Sequence, residues 1–291
     1  MAKQLLGKEV TASMHERLKK KVAELNLRGI TPQLCMIRVG ENAGDISYER
    51  GASKRCETIG ISYRSVHLPY EVTTQELISV IQEMNQDASV HGVLLFRPLP
   101  KHIDQSAVEN ALDPAKDVDC MTDASLGSVF TGKKLGFPPC TAQACMEILD
   151  HYQIDCTGKK AVVLGRSLVI GKPAAMMLLA KNATVTICHT RTEQLSCVTK
   201  EADILLVAAG RAGIVNADYV REGQIVIDVG INMDADGKLC GDVDYQHVEP
   251  IVSAITPVPG GVGSVTTSVL AAHVVEAAEK QATLYSEHKL K

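Results

Sequence analysis

The segment from Lys159 to Pro173 constrains this chain more than any other. Lys159-Lys160-Ala161-Val162-Val163-Leu164 reads as a short buried strand. It runs directly into Gly165-Arg166-Ser167-Leu168-Val169-Ile170-Gly171, then Lys172-Pro173 and an apolar helical stretch. A strand, a glycine-rich turn and a helix start make a corner that can cradle phosphate. Glycine lets the backbone approach a pyrophosphate, and the helix N-terminus offers free N–H groups and the positive end of its dipole. The spacing is Gly-x-Ser-x-x-x-Gly rather than Gly-x-Gly-x-x-Gly, so the motif alone is also compatible with an ordinary strand-to-helix turn.

The next strand adds to the reading. About 20 residues beyond the first glycine, an NAD-binding unit usually ends its second strand in Asp or Glu, which holds the ribose hydroxyls. Here Thr184-Val185-Thr186-Ile187 ends in Cys188-His189-Thr190-Arg191-Thr192, with no carboxylate. Arg166 in the turn, Arg191 and the neighbouring hydroxyls suit a 2′-phosphate better than a bare ribose. The expectation is NADP, with NAD still open. Arg191 taken singly fits a solvated loop residue almost as well.

The rest of the chain fits an α/β protein. Glu9 to Leu25 has helical periodicity, Leu34 to Gly40 is a strand ending in a glycine turn, and Ile46 to Thr58 is helical. Ser62 to Leu68 and Gly92 to Phe96 are further strands. Thr73 and Glu76 make a capping box at a helix start. Ile204 to Ala208, Ile225 to Val229 and Ala254-Ile255 are later strands, and Thr266 to Lys280 is a terminal helix. Repeated βα alternation predicts parallel sheets covered by helices. The Pro- and Gly-rich stretch from Gly132 to Thr141 reads as a crossing between domains. With 291 residues there is room for two cores. A net charge of −4 gives no basic footprint for nucleic acid. No apolar run reaches the roughly 20 residues of a membrane span, and the first residues lack a signal-peptide core. None of the nine cysteines stands in a Cys-x-x-Cys pair, so no metal site is expected. A cytoplasmic protein with reduced thiols is the reading that follows.

Several pieces together resemble one family, the bifunctional methylenetetrahydrofolate dehydrogenase/methenyltetrahydrofolate cyclohydrolases. They are Ser47-Tyr48, Arg97-Pro98-Leu99-Pro100, Lys116-Asp117-Val118-Asp119, Pro139-Cys140-Thr141, the Gly165-to-Pro173 corner, Gly241-Asp242-Val243, and Thr256-Pro257-Val258-Pro259-Gly260-Gly261-Val262-Gly263. The resemblance covers essentially the whole chain. It implies two α/β domains with a cleft between them, the C-terminal one a Rossmann-like dinucleotide-binding domain. The expected division is 1–141 for the folate-site domain, with a C-terminal helix 266–291 packing back on it, and 142–265 for the NAD(P) domain. It implies a tetrahydrofolate derivative as substrate and a homodimer as the usual assembly. Tyr48 and Asp119 would be the catalytic and substrate-binding pair, Asp119 accepting from the pterin amino and ring N–H groups. Pro259, Gly260 and Gly261 would bring backbone close to substrate. Gly165, Arg166, Ser167, Gly171, Thr190 and Arg191 would bind the cofactor.

The chain departs from that family at one wall of the site. The family carries lysine one helical turn after the tyrosine; here the position is Ala52. Lys54 would point about 120° away from Tyr48, and Arg55 would lie about 10 Å further along the axis. The glutamine before the family's Leu-Pro-Leu-Pro stretch is Phe96, and the leucine after it is Arg97. Cys120 stands where glycine is usual, and Ser264-Val265 replaces Pro-Met. Hydride transfer needs mainly positioning of two rings. Hydrolysis of a methenyl group needs proton transfer and a steered water, worth about 10²–10⁴-fold. The expectation is a dehydrogenase with weak or absent cyclohydrolase activity. The alternatives are a fully bifunctional enzyme, in which Lys54, Arg55 or Arg97 replaces the lysine, and more remotely a non-catalytic dinucleotide-binding protein or a two-domain dehydrogenase acting on another substrate.

Overall fold

The computed structural model describes residues 1–133, 135–234 and 236–289, with side chains of the terminal helix to 283. Residue 134 of the predicted crossing and residues 290–291 of the predicted terminal segment lie outside the described residues. The first elements are β1 (Lys3–Gln4), α1 (Gly7–Leu27), β2 (Gln33–Val39), α2 (Ala43–Ile59), β3 (Ser62–Leu68), α3 (Thr74–Gln86) and β4 (Gly92–Leu95). Next come α4 (Gln105–Ala111), α5 (Asp123–Thr131), α6 (Cys140–His151), β5 (Lys160–Leu164), α7 (Gly171–Ala180), β6 (Thr184–Cys188) and α8 (Leu195–Lys200). The chain ends with β7 (Ile204–Val207), β8 (Ile225–Asp228), β9 (Asn232–Met233), β10 (Leu239–Cys240), α9 (Tyr245–Val248), β11 (Ala254–Ile255) and α10 (Thr266–Lys289). The chain forms two compact units, each discontinuous: Ser13–Cys140 with Thr267–Lys291, and Thr141–Thr266 with Met1–Ala12.

The first unit is built on a parallel sheet of order β3-β2-β4, with Leu34 opposite Gly92 and Ile37 opposite Leu95. β2 is central and buried from Leu34 to Val39, so it reads as a continuous apolar run, whereas β3 at the edge alternates in burial. α3 begins where the sequence predicts. Thr73 Oγ1 accepts from Glu76 N at 3.2 Å, and Glu76 Oε2 accepts from Thr73 N at 2.8 Å. Such a cap contributes about 1 kcal/mol. Its Leu77, Ile81 and Met84, at helical spacing, pack into a core with Cys35, Ile37, Val93 and Leu95. α10 also packs within this unit: His273 Nδ1 lies 2.8 Å from the Val118 carbonyl, and Lys21 pairs with Glu279 at 2.8 Å.

The second unit is a six-stranded parallel sheet of order β1-β11-β8-β7-β5-β6. β7 is buried along its length, and Val162, Leu164, Leu205, Val207, Val226 and Ile255 join one core. The chain leaves β5 to form β6 on one side and later β7 on the other. This is the reversal of strand order at which parallel α/β sheets bind ligands. Residues 1–12, which the expected division puts with the folate-site domain, pack with this unit. β1 pairs in parallel with β11, and Gly7 N donates to the Gly260 carbonyl at 2.8 Å. A two-residue strand carries no alternation by which a sequence could reveal it.

Candidate active site

A cavity of about 490 Å³ opens at the C-terminal ends of β5, β6 and β7. Gly165, Arg166, Ser167, Thr190 and Arg211 are among the residues on its wall. Gly165 has φ +134°, and a Cβ there would lie 2.2 Å from the Ala208 carbonyl oxygen. A Cβ on Gly171 would lie 2.2 Å from the carbonyl oxygen of Gly165. Any side chain at either position would push the turn off the sheet. Ser167 Oγ accepts from Ile170 N at 3.1 Å and Gly171 N at 3.4 Å, tying the turn to the start of α7 and leaving its O–H free to donate. Pro173 falls in the first turn of α7, where a backbone N–H needs no helical partner.

The loop after β6 is folded on itself. Thr192 Oγ1 accepts from His189 N at 2.9 Å, and His189 Nδ1 accepts from Arg191 N at 3.1 Å. This turn brings Thr190 to the cavity wall, while Arg191 is exposed and is not among the wall residues. The second guanidinium on the wall is that of Arg211, which sequence reasoning missed. Its only signal is its place just after Gly210, in the loop following β7.

That loop is held from behind by a fully buried carboxylate. Asp242 Oδ2 accepts from Ala209 N at 2.6 Å and Gly210 N at 2.8 Å. Its Oδ1 accepts from Arg211 N and from Asn232 Nδ2, both at 2.8 Å. The three consecutive N–H groups, which could otherwise hold an anion, are thus occupied. Anion binding at this wall falls to side chains. Behind Asp242, Asp228 accepts from Gly230, Asp242 and Val243 N–H groups at 2.9–3.0 Å. Burial pushes its carboxyl up to about 6 despite those three donors. The cavity wall carries two guanidiniums, an imidazole and three hydroxyls, with no carboxylate among its described residues. Such a donor set fits a phosphorylated dinucleotide.

Pro259, Gly260 and Gly261 follow β11 and lie in the same unit, off the wall of this cavity. Ser264 Oγ donates to the Gly261 carbonyl at 2.7 Å, and Gly7 N holds Gly260.

Tyr48 and Asp119 lie in the other unit. Phe96 and Arg97, consecutive in the turn after β4, connect to both. The Phe96 ring meets the Tyr48 ring edge-on, with centroids 6.0 Å apart and planes at 79°. Arg97 Nη2 lies 3.8 Å from Asp119 Oδ2, and Arg97 Nη1 lies 3.5 Å from Glu109 Oε1. Asp119 sits at the end of a rigid turn. Lys116 Nζ donates to the Met84 and Asp87 carbonyls, both at 2.8 Å, and buried Asp117 accepts from Met121 N and Thr122 N, both at 2.8 Å. The first two residues of Lys116-Asp117-Val118-Asp119 therefore build the turn, and the last is presented by it. Burial pushes the Asp119 carboxyl up, while the Cys140 thiol and Arg97 oppose the rise. Cys120, in place of glycine, adopts φ +58°. For a residue with a Cβ this conformation costs about 1 kcal/mol.

Ala52, one turn beyond Tyr48, is 1% exposed. Lys54 is exposed. Arg55 Nη1 lies 2.8 Å from His15 Nε2, and its Nε donates to Thr267 Oγ1 at 3.4 Å. Among the three cations that could stand in for the family's lysine, Arg97 lies beside a residue expected in the site, 3.8 Å from Asp119 Oδ2.

Comparison with known proteins agrees with this geometry. Residues 5–119 match the family model described as the tetrahydrofolate dehydrogenase/cyclohydrolase catalytic domain, and residues 139–282 match the NAD(P)-binding domain of the same family. The chain is 53% identical over 281 residues to a protein of Carboxydothermus hydrogenoformans named bifunctional protein FolD, covering 96% of this chain and 98% of that one. A crystal structure of the bifunctional enzyme FolD from Campylobacter jejuni superposes with a TM-score of 0.93 at 41% identity, over 96% of this chain and 99% of that one. A Trypanosoma brucei FolD complexed with NADP cofactor and inhibitor superposes with a TM-score of 0.90 at 33% identity, over 97% of this chain and 98% of that one. The chain therefore belongs to the tetrahydrofolate dehydrogenase/cyclohydrolase family of enzymes.

Proposed function

We propose that the protein is an NADP-dependent methylenetetrahydrofolate dehydrogenase whose cyclohydrolase activity is weak or lost. Gly165, Gly171, Arg166, Ser167, Thr190 and Arg211 hold the cofactor, with Arg191 beside them as a long-range charge. The nicotinamide, when bound, supplies the hydride acceptor. Tyr48 lines the folate, Asp119 accepts from the pterin N–H groups, and the Pro259-Gly260-Gly261 backbone borders the substrate. The substrate's own nitrogens push the hydride out, so these residues need only position it. A homodimer, in the cytoplasm, goes with this reading. No helix among the described residues is long and apolar enough to cross a membrane.

The observation that carries the reading is the pair Ala52 and Phe96. A buried methyl stands where an ammonium would be, and an aromatic ring packs on Tyr48 where an amide would be. Neither can move a proton or steer a water to a methenyl carbon. A second reading, full bifunctionality giving 10-formyltetrahydrofolate, is favoured by the name of the relative at 53% identity. One assay separates the two. Methylenetetrahydrofolate is mixed with NADP or NAD, and methenyl product is followed separately from reduced cofactor. The first reading expects methenyl product to accumulate in step with reduced NADP, with slower turnover on NAD. Rapid hydrolysis of pure methenyltetrahydrofolate would establish the second, and no reduced cofactor at all would refute both.

A further inference from the structure

We propose that Arg97 is a positioning residue for substrate recognition: its guanidinium holds the Asp119 carboxylate in place, as an anion, for the pterin N–H groups. The inference rests on the folate reading above and concerns how this chain, with an altered site wall, keeps its grip on the substrate.

The geometry is that of a shared cation. Arg97 reaches Asp119 Oδ2 at 3.8 Å with one nitrogen and Glu109 Oε1 at 3.5 Å with the other. Gln105 Nε2 in turn donates to Glu109 Oε1 at 2.7 Å, fixing the far side of the fork. The groups facing Asp119 come from several elements. Arg97 comes from the turn after β4, Asp117 and Cys120 from its own loop, and Cys140 from the start of α6. Behind Cys140, its sulfur lies 3.7 Å from His273 Nδ1 on α10. Burial and the Asp117 carboxylate push the Asp119 carboxyl up, and the Cys140 thiol and the Arg97 charge oppose them. The protonation state matters to recognition. An ionised carboxylate only accepts hydrogen bonds and so matches a row of pterin N–H donors, whereas a protonated one donates from one oxygen and loses the match.

The same logic explains why two adjacent residues differ together. Phe96 puts an apolar ring against Tyr48 where the resemblance implies a polar side chain. A less polar wall penalises a carboxylate, and a cation beside it offsets the penalty. Phe96 and Arg97 thus act as a pair in which the second compensates for the first.

The test is the pH dependence of folate use in Arg97→Leu, Arg97→Lys and Glu109→Gln variants. Dehydrogenase kcat and KM are measured from pH 5.5 to 8, with calorimetric titration of tetrahydrofolate at the two ends. For Arg97→Leu the acid limb of kcat/KM moves to higher pH. The KM penalty at pH 5.5 exceeds that at pH 8 by about threefold to tenfold, with kcat little changed. Arg97→Lys restores most of the parent profile. Glu109→Gln, which frees Arg97 from its competing anion, moves the limb to lower pH and covers the case in which Arg97→Leu fails to fold. A uniform KM rise at all pH values in Arg97→Leu, or an unmoved limb in Glu109→Gln, overturns the inference. The parent chain keeps the two ideas separate. If it transfers no hydride, the folate reading fails; if it does so and the limbs stay fixed, only the role of Arg97 fails.

Discussion

At the scale of single residues, the chain shows what a buried cation requires. Lys116 is 5% exposed, and its ammonium is met by two backbone carbonyls at 2.8 Å. Position 52 is more deeply buried, one helical turn from an aromatic pair, and Phe96 offers no acceptor there. Ala52→Lys alone therefore puts an ammonium at a buried position where Phe96 supplies no acceptor, and is expected to lower stability by about 3 kcal/mol. Ala52→Lys with Phe96→Gln supplies an amide oxygen on the neighbouring wall and is expected to recover a large part of that loss. Methenyltetrahydrofolate hydrolysis rises in the double variant and not in either single one. Denaturant melts of the four proteins, with hydrolysis rates measured alongside, form a double-mutant cycle. Additive stabilities with no gain in hydrolysis would remove the assigned roles of both positions.

At the scale of elements, the β5-to-α7 corner was legible in the sequence because its constraints are local. Gly165 and Gly171 stand six positions apart in the chain, and the Gly165 carbonyl is what excludes a Cβ at Gly171, although the neighbour that excludes one at Gly165, Ala208, comes from the loop after β7. Thr73 and Glu76 were legible for the same reason. The loop after β7 was not. The carboxylate that shapes it, Asp242, lies far along the chain beyond β10, and nothing near Arg211 announces that contact. Arg191 was the more visible arginine because it follows the second strand, where dinucleotide sites keep their ribose-reading residue. The fold instead uses that turn to bring Thr190 to the cavity and leaves Arg191 exposed. The two loops therefore make opposite predictions from the ones their sequences suggest. Arg211→Ala is expected to weaken NADP binding by about tenfold or more, the loss of a charge-assisted contact. Arg191→Ala is expected to change it less than about threefold, as for an exposed charge. Calorimetric titration of NADP into each variant measures both, and a larger loss for Arg191→Ala would return the role to the residue that the sequence favoured.

At the scale of the whole molecule, the chain passes between its two units three times, after Ala12, Cys140 and Thr266, so neither unit is a continuous piece. The βα alternation revealed two parallel sheets but not this threading, because β1 has only two residues and gains its meaning from pairing with β11. The sheet that β1 completes is also tied at its core by Asp228. Its carboxylate accepts from Gly230, Asp242 and Val243, and its backbone N donates to Thr256 Oγ1 at 2.7 Å beyond β11. Burial raises its carboxyl from 3.8 to about 6. Between about pH 4 and pH 6 the folded chain therefore holds a proton that the unfolded chain has lost. The stability from this group is complete below about pH 4 and falls as pH rises through about 6, a change of about 3 kcal/mol. Glu76, Asp87, Asp155 and Asp203 act in the opposite sense. Hydrogen bonds from their neighbours hold them below the usual range, so their contribution is lost as pH falls. Global stability thus mixes both signs, and the Asp228 share is isolated only by difference. Asp228→Asn carries no titrating proton. The stability of the parent relative to that variant is expected to be greatest at pH 4 and to decline by about 3 kcal/mol by pH 7. The chain has no Trp, so denaturant unfolding followed by far-UV circular dichroism at several pH values is the suitable measurement. A difference that is flat across that range, or that grows with pH, would mean the three N–H donors outweigh burial and keep Asp228 ionised throughout.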